Sequence, residues 1–255
     1  MKFISGIVLA GGILVLALAF GFVFQLPFAI QLWPWPDAPL SYLFVGAILA
    51  AIGAAAIWIG WTGELAALRA GALNVFVIAL TSGLYFLKLA VEEDPHLFVY
   101  AGSAALAALL SAFVFSWSRR IPFRVSLPTP MLVRVSFALF ILALTLSGAA
   151  LILRLPIFLS DLYDDSSVIF GCIFIGDAFY FLYGLFVPNW HNAKGQLFSF
   201  LAYDLVLIGP LLAMFGTMQK QYEMSLVAYV AVLAYSGAIA VYYLFLNSRT
   251  RFGRP

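Results

Sequence analysis

Eight apolar runs, each close to the roughly 20 residues that a helix needs to cross a bilayer, divide this chain of 255 residues. They fall at about 4–26, 40–61, 70–90, 97–117, 132–154, 167–188, 196–217 and 224–246, and leave little chain over for a soluble domain. Lipid offers no partner to a backbone N–H or C=O, so runs of this kind are satisfied as helices. The expected fold class is an all-α integral membrane protein with eight transmembrane helices. Composition agrees, with 65% of residues hydrophobic and 9% charged, against about 45–50% and about 25% in soluble domains. Lys2 precedes the first run as it would in a signal peptide. That run is far longer than the roughly 7–15 residues of a signal-peptide core, so it reads as an uncleaved helix.

Lys and Arg are divided unevenly between the loops. With the N-terminus inside, Lys2, Arg69, Arg119, Arg120, Arg124, Arg134, Lys194, Arg249, Arg251 and Arg254 lie on that side, and Lys88, Arg154 and Lys220 on the other. Ten against three is a positive-inside bias, which puts both termini in the cytoplasm. Short loops and the arginine bias fit a bacterial inner membrane. The net charge of +2 is spread over several loops with no basic face, so a nucleic-acid partner is not expected.

A weak similarity recurs along the chain at one offset. Gln25-Leu26-Pro27 after the first span returns as Arg154-Leu155-Pro156 after the fifth, and Gly46, Trp61 and Asn74 fall opposite Gly176, Trp190 and Asp204. The expected organisation is two tandem four-helix repeats, 1–117 and 132–255, joined by a basic, Pro-rich cytoplasmic linker, 118–131. Four is an even number, so the repeats would be parallel, related by an axis along the membrane normal. Gly46, Gly53 and Gly60 in the second span suit close helix packing.

Asp177 and Asp204 each interrupt an apolar run, and a carboxylate at bilayer depth is rare enough to nominate a functional site. Spans six and seven are consecutive and antiparallel, so the two acids are expected in one layer on adjacent helices, with no Lys or Arg at that level. Tyr180 shares the Asp177 face, Ser199 precedes Asp204 by just over a turn, and Tyr203 points elsewhere. Gly209-Pro210 should kink span seven and free carbonyls toward the site. Asn74 is the polar counterpart in the first repeat. Trp33 and Trp35 in the loop before span two are expected at headgroup level, on the same side as the acidic run Ser160–Asp165, the counterpart loop of the second half. Arg119, Arg120 and Arg124 in the linker suit contact with anionic lipid or a partner.

Several chemistries lack their residues. Both histidines, His96 and His191, lie at span ends rather than at depth, so intramembrane haem is not expected. The single cysteine, Cys172, reads as a small buried apolar residue, and no metal site, cofactor or catalytic nucleophile is evident. The expectation is a protein that is not an enzyme and whose partners are the lipid bilayer and other membrane subunits. In that reading it is a non-catalytic accessory or structural subunit of a larger membrane complex. The alternative is a small proton- or cation-linked secondary transporter or channel using Asp177 and Asp204.

Overall fold

Gln25 and Arg154 are the only non-glycine residues with positive φ, at 51° and 57°, in the computed structural model, which describes residues 1–155, 162–217 and 219–251. Each ends a helix in the same way. The Gln25 and Leu26 N–H groups return to the carbonyls of Phe22 and Gly21, and those of Arg154 and Leu155 to Leu151 and Ala150. This is the left-handed cap that satisfies the orphan carbonyls of a last turn. A side chain in this conformation costs roughly 1 kcal/mol, so its recurrence at the two matched tripeptides is a shared structural device. Pro156 lies outside the described residues.

The long helices among the described residues are α1 (Lys2–Val23), α2 (Pro39–Thr62), α3 (Leu68–Glu92), α4 (Phe98–Ser118), α5 (Met131–Ile152), α6 (Asp164–Phe186), α7 (Trp190–Ala213) and α8 (Lys220–Val241). With their flanking turns, all eight are long and apolar enough to cross a membrane. Local chemistry sets their limits. Pro39 opens α2 and Gly63, at φ 70°, closes it; two aspartates occupy the first turn of α6; the Asn189 side chain caps α7 by accepting from the His191 N–H. Helix α7 begins six residues before its expected span. Hydropathy excluded the polar Trp190–Gly195 stretch, but Trp190, Asn192, Ala193, Lys194 and Gly195 are all buried, and packing holds them helical. Among the described residues there is no strand, only an isolated bridge between Pro128 and Asn189.

Helices joined by the chain pair off as α1 with α2, α3 with α4, α5 with α6 and α7 with α8. The remaining extensive contacts cross between halves, α2 against α7 and α3 against α6, while α2 touches α3 little and α6 touches α7 little. Glycine permits the closest approaches. A Cβ on Gly53 would stand 3.0 Å from the Gly12 carbonyl oxygen and one on Gly60 only 2.5 Å from the Leu9 nitrogen, while Gly171 meets the Gly148 carbonyl on α5 at 2.7 Å. Gly46 rests similarly on α1, so all three span-two glycines serve packing. Cys172 is buried, as expected.

The face on which α1 begins is here termed the terminal face. The linker is docked there rather than loose. Asn189 donates to the Val125 carbonyl, the Trp190 N–H to Leu127 and the Thr129 N–H to Pro188. Arg69 donates to the Ser118 and Ile121 carbonyls.

Candidate functional site

Because α2 turns from α3 and α6 from α7, the centre of the bundle is left open. The opening is a chamber of about 780 Å³, walled by residues of α2 through α8, within the roughly 300–1,000 Å³ of small-molecule sites. Its walls are largely aliphatic and aromatic. Besides Ser111, Ser147 and Ser225, the polar lining is a belt of Asn74 of α3, Asp177 and Tyr180 of α6, Ser199, Tyr203 and Asp204 of α7, and Tyr229 and Ser236 of α8. Among the described residues no Lys, Arg or His lines it.

Asp177 takes a hydrogen bond from the Asn74 amide, Nδ2 to Oδ1, at 2.6 Å. The backbones come close here because Gly176 has no side chain: a Cβ there would lie 3.1 Å from the Asn74 carbonyl oxygen. Among the described residues the second carboxylate oxygen of Asp177 has no hydrogen-bond partner, and the residue keeps accessible surface because it borders the chamber. One turn along α6, the Tyr180 hydroxyl meets Ser199 Oγ at 3.2 Å, and the Gln196 amide donates to the Tyr180 carbonyl.

Asp204 is 4% exposed. The Ser236 hydroxyl lies 3.0 and 2.8 Å from its two oxygens and 2.9 Å from the Val232 carbonyl. A hydroxyl has one proton and two acceptor positions. It can therefore donate to Asp204 when the acid is charged and accept from it when the acid is protonated.

The aspartates share a chamber but not a bond. Helices α6 and α7 meet near their connection, where a Cβ on Gly184 would strike Gln196, and splay beyond the Tyr180–Ser199 contact. Counted from that contact, Asp177 is three residues and Asp204 five residues further from the terminal face, a difference in height of about 3 Å at 1.5 Å per residue. The count puts the two acids at similar heights, and both border the chamber.

Other expectations need correction. Helix α7 runs through Pro210 to Ala213, and both Gly209 and Pro210 are exposed on its outer side. Five and six residues beyond Asp204, at 100° each, they have turned away from the chamber. Trp33 and Trp35 fold inward: the Trp33 indole donates to Ser166 Oγ at 3.1 Å and packs on Phe170, and Trp35 stacks between Phe86 and Tyr163. Arg124 donates to the Thr62 carbonyl, tying the linker to α2, whereas Arg119 and Arg120 are exposed. Tyr203 does face the chamber, which is wide enough to subtend two successive positions of α7, and its hydroxyl is hydrogen-bonded to that of Tyr229. Ser160 and Asp161 of the acidic run lie outside the described residues.

Both ends of the bundle are tied between the halves. Away from the terminal face, Asp165 accepts from Tyr85 at 2.5 Å and from Arg154 at 3.1 Å, and Arg154 also donates to the Tyr85 hydroxyl. That last bond, chiefly, holds the guanidinium above its ordinary pKa. On the terminal face, Glu64, which follows α2, sits 2.7 Å from His191 Nδ1, with the two side chains only 3% and 14% exposed. Lys194, three residues on, is buried with its ammonium 5.9 Å from the Trp190 ring.

These features define a multi-pass, eight-helix membrane protein with an intramembrane chamber. No protein-family model matches the chain, and neither the curated proteins nor the solved structures give a match.

Proposed function

We propose that this protein is a small proton- or cation-linked carrier that holds its solute in the central chamber, with Asp177 and Asp204 as the coupling groups. The observation that carries this reading is the chamber itself: a solute-sized space at mid-depth whose only charged groups are two carboxylates without a cationic partner among the described residues. A charge at the bilayer centre costs about 2.5–3.5 kcal/mol on insertion scales, an expense that packing does not require. Ser236 accommodates both protonation states of Asp204, as a proton-coupling acid needs.

The same proposal includes two parallel repeats, 1–117 and 132–255. It is supported by the matched left-handed caps and by contacts that occur in equivalent pairs, α1–α2 with α5–α6, α3–α4 with α7–α8, and α2–α7 with α6–α3. The start of α6 follows that of α2 by fewer residues than Arg154 follows Gln25, so the offset drifts after the first helix. With N- and C-termini in the cytoplasm of an inner membrane, as the arginine count favours, Glu64–His191 closes the inner end and Arg154–Asp165–Tyr85 the outer.

The test is reconstitution into liposomes loaded with a pH-sensitive dye, with a panel of small amines and cations offered across a pH gradient. The expected result is saturable, solute-evoked proton flux that Asp177→Asn and Asp204→Asn each abolish. Flux unchanged in both variants would dispose of the proposal. The accessory-subunit reading stands second, since an assembly role needs no such chamber. Mass measurement after gentle extraction separates the two, because a subunit comes away with partner chains.

A further inference from the structure

The walls of the chamber narrow the class of solute, and this step rests on reading the chamber as a binding site. Besides the volume, two properties bear on it. Among the described residues the only charged groups on its surface are acidic, so an anion would meet two carboxylates and no counter-charge there. Near the belt lies a block of aromatic rings, with Phe200 4.5 Å from Phe181 and 4.6 Å from Phe140, centroid to centroid, and all three rings border the space. Aromatic faces attract cations, most strongly where water is excluded.

A bare metal ion fits poorly. Hard cations take six or more oxygen ligands at short range, and among the described residues no three acidic, histidine or cysteine side chains converge. Asp177 offers one free oxygen and Asp204 is already engaged by Ser236. Nor does a fully apolar molecule fit, since it would leave two acids facing hydrocarbon. What satisfies acid, ring and volume together is a cation whose charge is carried on a bulky organic body.

We infer that the chamber binds a lipophilic organic cation, its charge between Asp177 and Asp204 and its apolar body against Phe140, Phe181 and Phe200. The contacts are complementary: carboxylates neutralise the charge, while ring faces and aliphatic walls replace water around the body.

Tetraphenylphosphonium and tetraphenylborate test this directly, because they share shape and apolar surface and differ in the sign of their charge. Equilibrium dialysis of the full chain in detergent, with the Asp177→Asn/Asp204→Asn variant as the baseline for micelle partitioning, should show saturable binding of the cation near one per chain. The anion should bind at least tenfold more weakly, and Phe200→Leu, which leaves both acids in place, should weaken the cation three- to tenfold. Equal binding of the two ions, or tighter binding of the anion, overturns the inference. So does cation binding that survives both the double-Asn and Phe200→Leu changes in protein that elutes as a folded monodisperse species. Should the double-Asn chain fail to fold, the comparison of ions on the native chain and Phe200→Leu decide alone. The outcome is separable from the carrier reading. A cation that binds selectively but never moves protons removes the carrier and leaves the ligand class, whereas proton-coupled flux of an anion or neutral solute does the reverse.

Discussion

The Asn74 amide reaches the Asp177 carboxylate across 2.6 Å, and at that contact the chamber wall passes from the first half of the chain to the second. The bond couples two helices, α3 and α6, that are far apart in sequence and held close by Gly176. In a double-mutant cycle of Asn74→Ala and Asp177→Ala, followed by thermal unfolding in detergent, the two changes should be non-additive by about 1–2 kcal/mol. Additive losses would show that the bond contributes nothing.

Close approach at Gly60 makes a sharper stability prediction. Gly60→Val places a side chain where Cβ alone would be 2.5 Å from the Leu9 nitrogen, an overpacking expected to cost about 1–3 kcal/mol or more. Gly71→Ala, at a position with open space around it, should leave the melting temperature unchanged or slightly raised. Fluorescence-detected size exclusion after a temperature ramp distinguishes them, and equal behaviour would refute the tight α1–α2 contact.

For the buried Glu64–His191 pair, removing one partner strands the other. His191→Ala should destabilise the protein by about 3 kcal/mol, since it leaves an unpaired carboxylate that is almost wholly buried. The double change Glu64→Gln/His191→Ala should recover part of that loss. No recovery would mean that the His191 ring contributes through packing rather than through its contact with the Glu64 carboxylate.

Arg154 is half exposed, and exposed ion pairs contribute about 0–1 kcal/mol. Arg154→Ala should therefore hardly change the melting temperature. It should nevertheless open the end of the bundle away from the terminal face, so that Ile52→Cys in a Cys172→Ser background reacts faster with a water-soluble thiol reagent. An unaltered labelling rate would argue that the Trp33 and Trp35 contacts close that end unaided.

The eight spans could be read from hydropathy because lipid forces every apolar run of that length into a helix. Asp177, Asp204, Asn74, Tyr180 and Ser199 were legible as a set for the related reason that polar groups are scarce at depth, and all five border one space. Neighbour relations were not legible. The short connection between α6 and α7 suggested side-by-side helices, yet chain order says nothing of how far they splay. Pro210 was misread because a proline signal carries no information about which side of the helix it faces. Ser225, Tyr229, Val232 and Ser236 all line the chamber, and their spacing of four, three and four along α8 is a face that periodicity could have exposed. The Glu64–His191 pair gave no signal, since each residue alone looks like an ordinary polar group in a turn.

The exchange of neighbours in the middle of the bundle has a consequence for how the protein is made. Helices α2 and α3 emerge from the ribosome in succession but barely touch, and each waits for a mate that is synthesised much later. Four antiparallel hairpins can enter the bilayer one after another, yet the first two have nothing to close around until the last two arrive. The final hairpin, α7 and α8, brings Asp204, Tyr229 and Ser236 together. The chamber is thus completed only when α7 and α8 follow α6, and α7 then shuts away Asp204, the acid it carries.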